Sequence, residues 1–219
     1  MVDTTLLSEV ELFSDLTPTD LHDLAAVAES RTLRRGDLLF AEGDEPDDLY
    51  VVADGRIAIA KKSVDGRESV VALMERGDLF GELGLFDRQG RSAEARALEQ
   101  SDVVTIPYAA VQTLYERSPE LLWHVINMLT RRLRAIDDAL ADSVFLDVTG
   151  RTAKRLLELA GDADEFSLPI TQEELAGLVG ASRERVNKAI ASFVRLGWIE
   201  QHDRRYRITN RQQLTLRAT

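Results

Sequence analysis

Six apolar residues, Leu122, Ile126, Leu129, Leu133, Ile136 and Leu140, recur at spacings of four, three, four, three and four. A seam of this period belongs to a long helix lying along a second helix. Ser118-Pro119-Glu120 just ahead of it reads as a cap, a first-turn proline and an early acid. Arg131, Arg132 and Arg134 fall off the seam. The spacing predicts a parallel two-helix contact between two copies of the chain. The alternative is that the stripe packs on the chain's own preceding domain.

The texture before this helix is different. Two short helical patterns open the chain, over residues 6–13 and 17–28, the second with a Thr17-Pro18 start. From residue 31 to 107 short apolar runs alternate with turns. Residues 48–53 and 56–60 flank Asp54-Gly55, a two-residue hairpin signal, and residues 57–60 and 69–74 flank Val64-Asp65-Gly66-Arg67. Further runs lie at 79–80, 93–98 and 103–106. Many short strands without an intervening long helix predict an antiparallel roll or barrel.

Beyond the seam, a helix is predicted over 147–160, stopped by Gly161, with a short strand at 166–168 ahead of Pro169. Thr171 and Glu174 form a capping box opening a helix with Leu175, Leu178 and Val179 on its apolar face. Gly180 turns the chain, and Ser182 caps a helix carrying Val186, Ile190, Phe193 and Val194 to a stop at Gly197. Two helices joined around a glycine are a helix-turn-helix unit. Residues 198–201 and 206–208 add a hairpin wing. The expected fold class is therefore α+β: an N-terminal β-roll domain over 1–117, a dimerisation helix and hinge over 118–146, and a winged helix-turn-helix domain over 147–219.

The formal charge of −11 argues against a nucleic-acid partner until its distribution is considered. From Thr171 onward nine basic residues face five acidic ones, whereas residues 1–144 carry fifteen against twenty-eight. The acidity is confined to the front, and the tail has the sign that DNA binding needs. No apolar run is long enough for a membrane span and the acidic start is unlike a signal peptide, so a cytoplasmic protein is expected. The chain has no cysteine, which removes disulfides and thiolate-held zinc or iron–sulfur clusters. His22, His124 and His202 lack ligand-like spacing, so no metal is expected.

Two segments carry chemistry. The helix after Ser182 presents Arg183, Glu184, Arg185, Asn187 and Lys188 over its first two turns. Arginine can donate twice to guanine, glutamate can accept from cytosine, and the N-terminal part of such a helix enters the major groove. A basic wing with Arg204, Arg205 and Arg207 follows. In the roll, Gly81-Glu82-Leu83 precedes Arg91-Ser92-Ala93 by a short turn. The arginine and serine suit a phosphate, and the acceptor-only glutamate suits a ribose hydroxyl. Alternatively, Glu82 and Arg91 form a structural ion pair.

GELGLF at 81–86, RSA at 91–93, FLDVTGR at 145–151 and LVGASRERVNKA at 178–189 together resemble the cAMP receptor protein (CRP/FNR) family, in the same order along essentially the whole chain. The resemblance implies a dimeric transcription regulator with cAMP as its allosteric ligand. It implies that Glu82 binds the ribose 2′-hydroxyl, that Arg91 and Ser92 bind the cyclic phosphate, and that Arg132 reaches Glu82. Asp147 would start the helix after the hinge. Arg183, Glu184 and Lys188 fall on the family's base-reading positions, with Thr171, Ser182, Arg185 and Asn187 beside them. A TGTGA-like inverted repeat and RNA polymerase are the implied partners.

Three departures stand against that pattern. Where cAMP-responsive members carry small hydroxyl or amide residues against the adenine, this chain has Ile136 and Asp137. Asp137 suits the two donors of a guanine edge as well as it suits adenine. Arg185 replaces a threonine, and the loop at 162–165 is short and acidic. Two other readings of the whole chain remain. A cupin-type enzyme would need histidine ligands in the roll, and residues 31–107 contain none. The same fold answering to cGMP or a cyclic dinucleotide, or binding DNA constitutively, is the nearer rival.

Overall fold

The computed structural model describes residues 2–62, 68–168 and 170–219. The turn expected at Val64-Asp65-Gly66-Arg67 and the proline at 169 lie outside the described residues. The chain divides into two compact units, Met1–Leu133 and Arg134–Thr219.

The first unit opens with helix α1 (Thr4–Glu9), a single 3-10 turn (Glu11–Phe13) and helix α2 (Pro18–Val27). The expected helix over 6–13 is thus broken: Val10 is extended, and the break lets Leu6, Leu7, Leu12 and Phe13 all face the core. Thr17 caps α2, accepting from the Asp20 N–H at 3.2 Å.

Eight strands follow: β1 (Glu29–Leu33), β2 (Leu38–Phe40), β3 (Asp48–Asp54), β4 (Ile57–Lys62), β5 (Glu68–Met74), β6 (Leu79–Phe80), β7 (Glu94–Ala97) and β8 (Ser101–Pro107). They pair antiparallel in two sheets, ordered β1-β8-β3-β6 and β2-β7-β4-β5. Side chains alternate faces along a strand, so β3 serves two cores. Tyr50 and Val52 pack between the sheets with Leu33, Ile57, Phe80, Ala95 and Val103. Leu49 and Val51 face the helical layer with Val104, Ile106, Leu7 and Phe13.

The hairpin expected at Asp54-Gly55 does not form. β3 and β4 belong to different sheets, and the pair turns a corner between them. Gly55 takes φ +79°, and a Cβ there would lie 2.6 Å from the Gln100 carbonyl oxygen. The close approach of the β8 end, with Ser101 Oγ accepting from the Arg56 N–H at 3.0 Å, makes this a corner.

Helix α3 (Leu83–Asp87) lies between β6 and β7. Helix α4 (Tyr108–Arg117), which the sequence reading did not anticipate, leaves β8 at Pro107 without a side-chain cap and is held by buried Val111, Leu114 and Tyr115. Ser118 likewise gives no side-chain cap; Pro119–Leu121 form a 3-10 turn before the long helix α5 (Leu122–Phe145). Leu121, Val125 and Met128 pack into the first unit's core. The seam residues Leu122, Ile126, Leu133, Ile136 and Leu140 stay exposed, with only Leu129 partly buried. Within the first unit it is a neighbouring face of the helix, with Leu121, Val125 and Met128, that packs on the roll, and of the seam residues there only Leu129 joins it.

The second unit continues with α6 (Val148–Ala160), β9 (Glu165–Ser167), α7 (Gln172–Val179), α8 (Arg183–Arg195), β10 (Ile199–His202), β11 (Arg205–Ile208) and α9 (Arg211–Arg217). β10, β11 and β9 form one antiparallel sheet with β11 central. Thr171 and Glu174 form the expected capping box, and Gly180 turns the chain at φ +67°. Leu156, Ile170, Leu175, Val186, Phe193, Tyr206 and Leu214 are among its most buried apolar side chains. α9 was not anticipated; Asn210 caps it and Leu214 anchors it. Among the described residues no helix is long and apolar enough to cross a membrane, and no group of three or more His, Asp or Glu side chains is placed to hold a metal ion.

Candidate functional site

Between the two sheets of the first unit lies a cavity of about 80 Å³. Phe40, Ile59, Met74 and Phe80 line its apolar side; Gly81, Glu82, Leu83, Arg91, Ser92 and Ala93 line its polar side, and Arg132 of α5 also lines it. The segment that carries the polar side is stitched in place. The Gly43 N–H donates to the Arg91 carbonyl at 2.8 Å, and the Arg91 N–H donates to the Asp44 carbonyl at 2.9 Å. Gly81 takes φ +79°, and a Cβ there would meet Arg91 Nη1 at 2.7 Å, so this position is glycine for two reasons.

Glu82 is only 1% exposed. Burial pushes its carboxyl above the ordinary carboxylate range, with the Arg132 guanidinium, and more weakly Arg91, pulling the other way. Arg132 donates to Glu82 and to the Leu79 carbonyl. The ion pair considered between Glu82 and Arg91 is absent among the described residues; Arg132 is the cation that Glu82 meets.

Arg91 is held otherwise. Its Nη1 donates to the Gly81 carbonyl at 2.8 Å and to the Tyr108 hydroxyl at 3.2 Å, and its Nη2 donates to the Asp48 carbonyl at 2.8 Å. The guanidinium carbon sits 4.3 Å from the centre of the Phe40 ring. Nε is buried without a hydrogen-bond partner among the described residues. Tyr108 also donates to the Gly81 carbonyl, and burial raises its phenol above the usual range. Ser92 is exposed at the rim, while Ala93 is buried. Ile136 and Asp137 are exposed on the part of α5 that belongs to the second unit. Phe40, Tyr50 and Tyr108 were missed by sequence reasoning, because nothing local says what they face.

In the second unit Ser182 Oγ accepts from the Arg185 N–H at 3.4 Å, fixing the start of α8. Arg183, Glu184, Arg185, Asn187 and Lys188 are all exposed. Three of them line grooves. Arg183 lines one of about 510 Å³ with Thr171, Gln172, Arg204 and Tyr206. Arg185 and Lys188 line another of about 470 Å³ with Asp147, Thr149 and Arg195. Residues three or four apart share a helix face, so Lys188 sides with Arg185 and Asn187 with Arg183. Asp147 caps α6, accepting from the Gly150 N–H at 2.8 Å, and pairs with Arg217 of α9. The Gly150 N–H, more than Arg217, holds its carboxyl below the ordinary range.

Known proteins share this arrangement. Residues 30–118 match the cyclic nucleotide-binding domain, and residues 150–217 match the Crp-like helix-turn-helix domain. The chain is 36% identical to a CRP-like cAMP-activated global transcriptional regulator of Mycobacterium tuberculosis, covering 97% of this chain and 98% of that one. It is 34% identical to the cAMP-activated global transcriptional regulator Vfr of Pseudomonas aeruginosa, over 80% of this chain and 86% of the relative. The c-di-GMP responsive global regulator CLP of Xanthomonas campestris has a similar structure, with a TM-score of 0.76 at 25% identity over 88% of this chain and 99% of the other. With a cyclic-nucleotide-binding roll ahead of a Crp-like DNA-binding domain, the chain belongs to the CRP/FNR family of transcription regulators.

Proposed function

We propose that cAMP switches this regulator by entering the cavity between Glu82 and Arg91. The observation that carries the reading is Arg91: a buried guanidinium beside a cavity, with no carboxylate in ion-pair contact and no partner for Nε among the described residues. In this role Glu82 accepts from the ribose 2′-hydroxyl, and Arg91 and Ser92 donate to the cyclic phosphate. Gly81, Leu83 and Ala93 supply the surrounding wall. Nucleotide-sized sites usually enclose about 300–1,000 Å³, whereas this cavity holds about 80 Å³. A nucleotide would displace lining groups on entry, and Arg132 of α5, half-buried and paired with Glu82, is one of them. Ligand entry would exchange the Arg132–Glu82 contact for contacts to the nucleotide and so act on the long helix. A ligand shifts an equilibrium only through such differential contacts.

The regulator would act as a homodimer in the cytoplasm through residues 118–146. The second unit, with Arg183, Glu184 and Lys188 toward the bases and Thr171, Ser182, Arg185 and Asn187 beside them, would read a TGTGA-like inverted repeat and work with RNA polymerase. A second reading concerns the ligand alone. Asp137 carries only acceptors, which suit a guanine edge, and the Xanthomonas relative is described as c-di-GMP responsive. Calorimetry of the purified protein with cAMP, cGMP, cyclic-di-GMP and cyclic-di-AMP tests both. Saturable cAMP binding that tightens operator binding is expected. Tighter cGMP or cyclic-di-GMP binding would replace the ligand, and no binding by any of the four would leave a constitutive DNA binder.

A further inference from the structure

We propose that Phe40, braced by Tyr50 and Tyr108, is a positioning residue that holds the Arg91 guanidinium ready for an anionic ligand. The inference rests on reading this cavity as the phosphate site. Arg91 is 7% exposed, and a buried cation needs compensation. Ordinarily a carboxylate supplies it, but no carboxylate among the described residues forms a salt bridge with Arg91. Asp48 lies close enough for its carboxyl to feel Arg91, yet it is the Asp48 main-chain carbonyl that accepts from Nη2.

The direct contacts come instead from neutral groups, with the Glu82 and Asp48 carboxyls acting only from a distance. Two carbonyls and a phenol take the Nη donors, and three aromatic rings surround the guanidinium carbon, at 4.3 Å for Phe40, 5.3 Å for Tyr50 and 5.9 Å for Tyr108. Aromatic faces attract a cation through their quadrupole, most strongly when both are desolvated. This distinction has a consequence. A carboxylate partner would compete with the phosphate, and ligand binding would first have to break an ion pair. Ring faces stabilise the cation while leaving its positive charge available to the cavity.

The fold aims Phe40 at this task. The pairing of β2 with β7 shifts register between Leu38 and Phe40, and such irregularities re-aim side chains beside binding sites. Phe40 in turn packs on Tyr50, with ring centres 5.5 Å apart, and Tyr50 stacks on Phe80 at 5.4 Å. The ring that covers Arg91 is thereby fixed by two more.

The test is a thermodynamic cycle read by calorimetry with cAMP as the probe. Phe40→Leu is expected to weaken cAMP binding about tenfold, the value of a desolvated cation–π contact, while Phe40→Tyr keeps the ring and most of the affinity. In an Arg91→Ala background Phe40→Leu should cost nothing further, because it acts through Arg91. The preference for cAMP over cGMP should be unaltered, since the phosphate is common to both. A fold-independent readout is the Arg91 Nε proton resonance: ring-current shifted in the parent and in Phe40→Tyr, and moved toward the free-arginine position in Phe40→Leu. Parent-like cAMP affinity in Phe40→Leu, or an equal loss in the Arg91→Ala background, overturns the proposal. Unchanged affinity in Arg91→Ala alone would instead overturn the phosphate-site reading beneath it.

Discussion

Arg132 of α5 donates to the carboxylate of Glu82, a contact between residues fifty positions apart that fastens the long helix to the start of the ligand-cavity segment. Glu82 is 1% exposed, whereas the Arg132 side chain is 36% exposed. One partner is thus committed to the interior and the other stands at its edge.

Removing Arg132 should make stability more sensitive to pH. Burial already holds the folded-state value of Glu82 above its ordinary 4.5, so the folded chain binds this proton more tightly than the unfolded one. Its contribution is therefore most favourable below pH 4.5 and declines as pH rises through the folded-state value. In Arg132→Met the offsetting attraction is gone, and the decline extends to higher pH. The deficit relative to the parent should be small in acid and reach on the order of 2 kcal/mol near pH 8, the screened side of what stripping a buried charge costs. Thermal melts from pH 4.5 to 8 measure it. A deficit that does not vary with pH would sink the idea.

The exposed seam predicts how the chain assembles. Leu133 is 59% exposed in the single chain, so Leu133→Asp should change the stability of the isolated fold by no more than about 0.5 kcal/mol. In a two-helix contact the same carboxylate would be buried without a partner. Sedimentation is expected to show a dimer for the parent and a shift toward monomer for the variant. An unaltered dimer would place the contact elsewhere.

Arg183 and Arg185 face different grooves of the second unit, so their substitutions are expected to separate base reading from backbone contact. Two positions on a helix differ by about 200° in direction, so the two side chains cannot share one base edge. Arg183→Ala should cost about 1–3 kcal/mol on the cognate site and relax preference at one symmetric position per half-site. Arg185→Ala should weaken all sequences alike and lower the salt slope by about one per monomer contact. Binding-site selection decides it: altered base preference in Arg185→Ala but not in Arg183→Ala would mean a different register in the groove.

Asp147 combines a cap with an ion pair, and the two roles come apart by substitution. Asp147→Ala should cost about 1 kcal/mol through loss of the cap on α6. Asp147→Asn keeps an acceptor for the Gly150 N–H and loses only the attraction to Arg217; with Asp147 62% exposed that attraction is screened and small. Since the folded chain holds this carboxyl below its ordinary 3.8, its stabilisation is present above that value and lost as pH falls through the folded-state one. The deficit of Asp147→Ala should therefore be level from pH 5 to 8 and shrink below pH 4. Equal melting temperatures for Asp147→Ala and the parent at pH 7 would remove Asp147 from the helix start.

Short-range chemistry was legible in the sequence because its physics is complete within a few residues. Thr17, Asp147, Thr171 with Glu174, and Ser182 each satisfy a free N–H of the helix they open, and each stands where its local pattern put it. The spacing of Leu122 to Leu140 likewise marked a face that the single chain leaves exposed. Tertiary contacts decided the rest. Asp54-Gly55 has the local form of a hairpin, yet distant pairing assigns β3 and β4 to different sheets, and only the approach of Ser101 makes the site a corner. α4 has no side-chain cap to announce it and is held by what Val111, Leu114 and Tyr115 bury against. The resemblance to known regulators named Glu82, Arg91 and Arg132. It did not say that burial would raise the Glu82 carboxyl, or that Arg91 would lie among Phe40, Tyr50 and Tyr108. A side chain's type is written in the sequence, but its charge environment is set by residues from other strands and helices, which only the folded packing brings together.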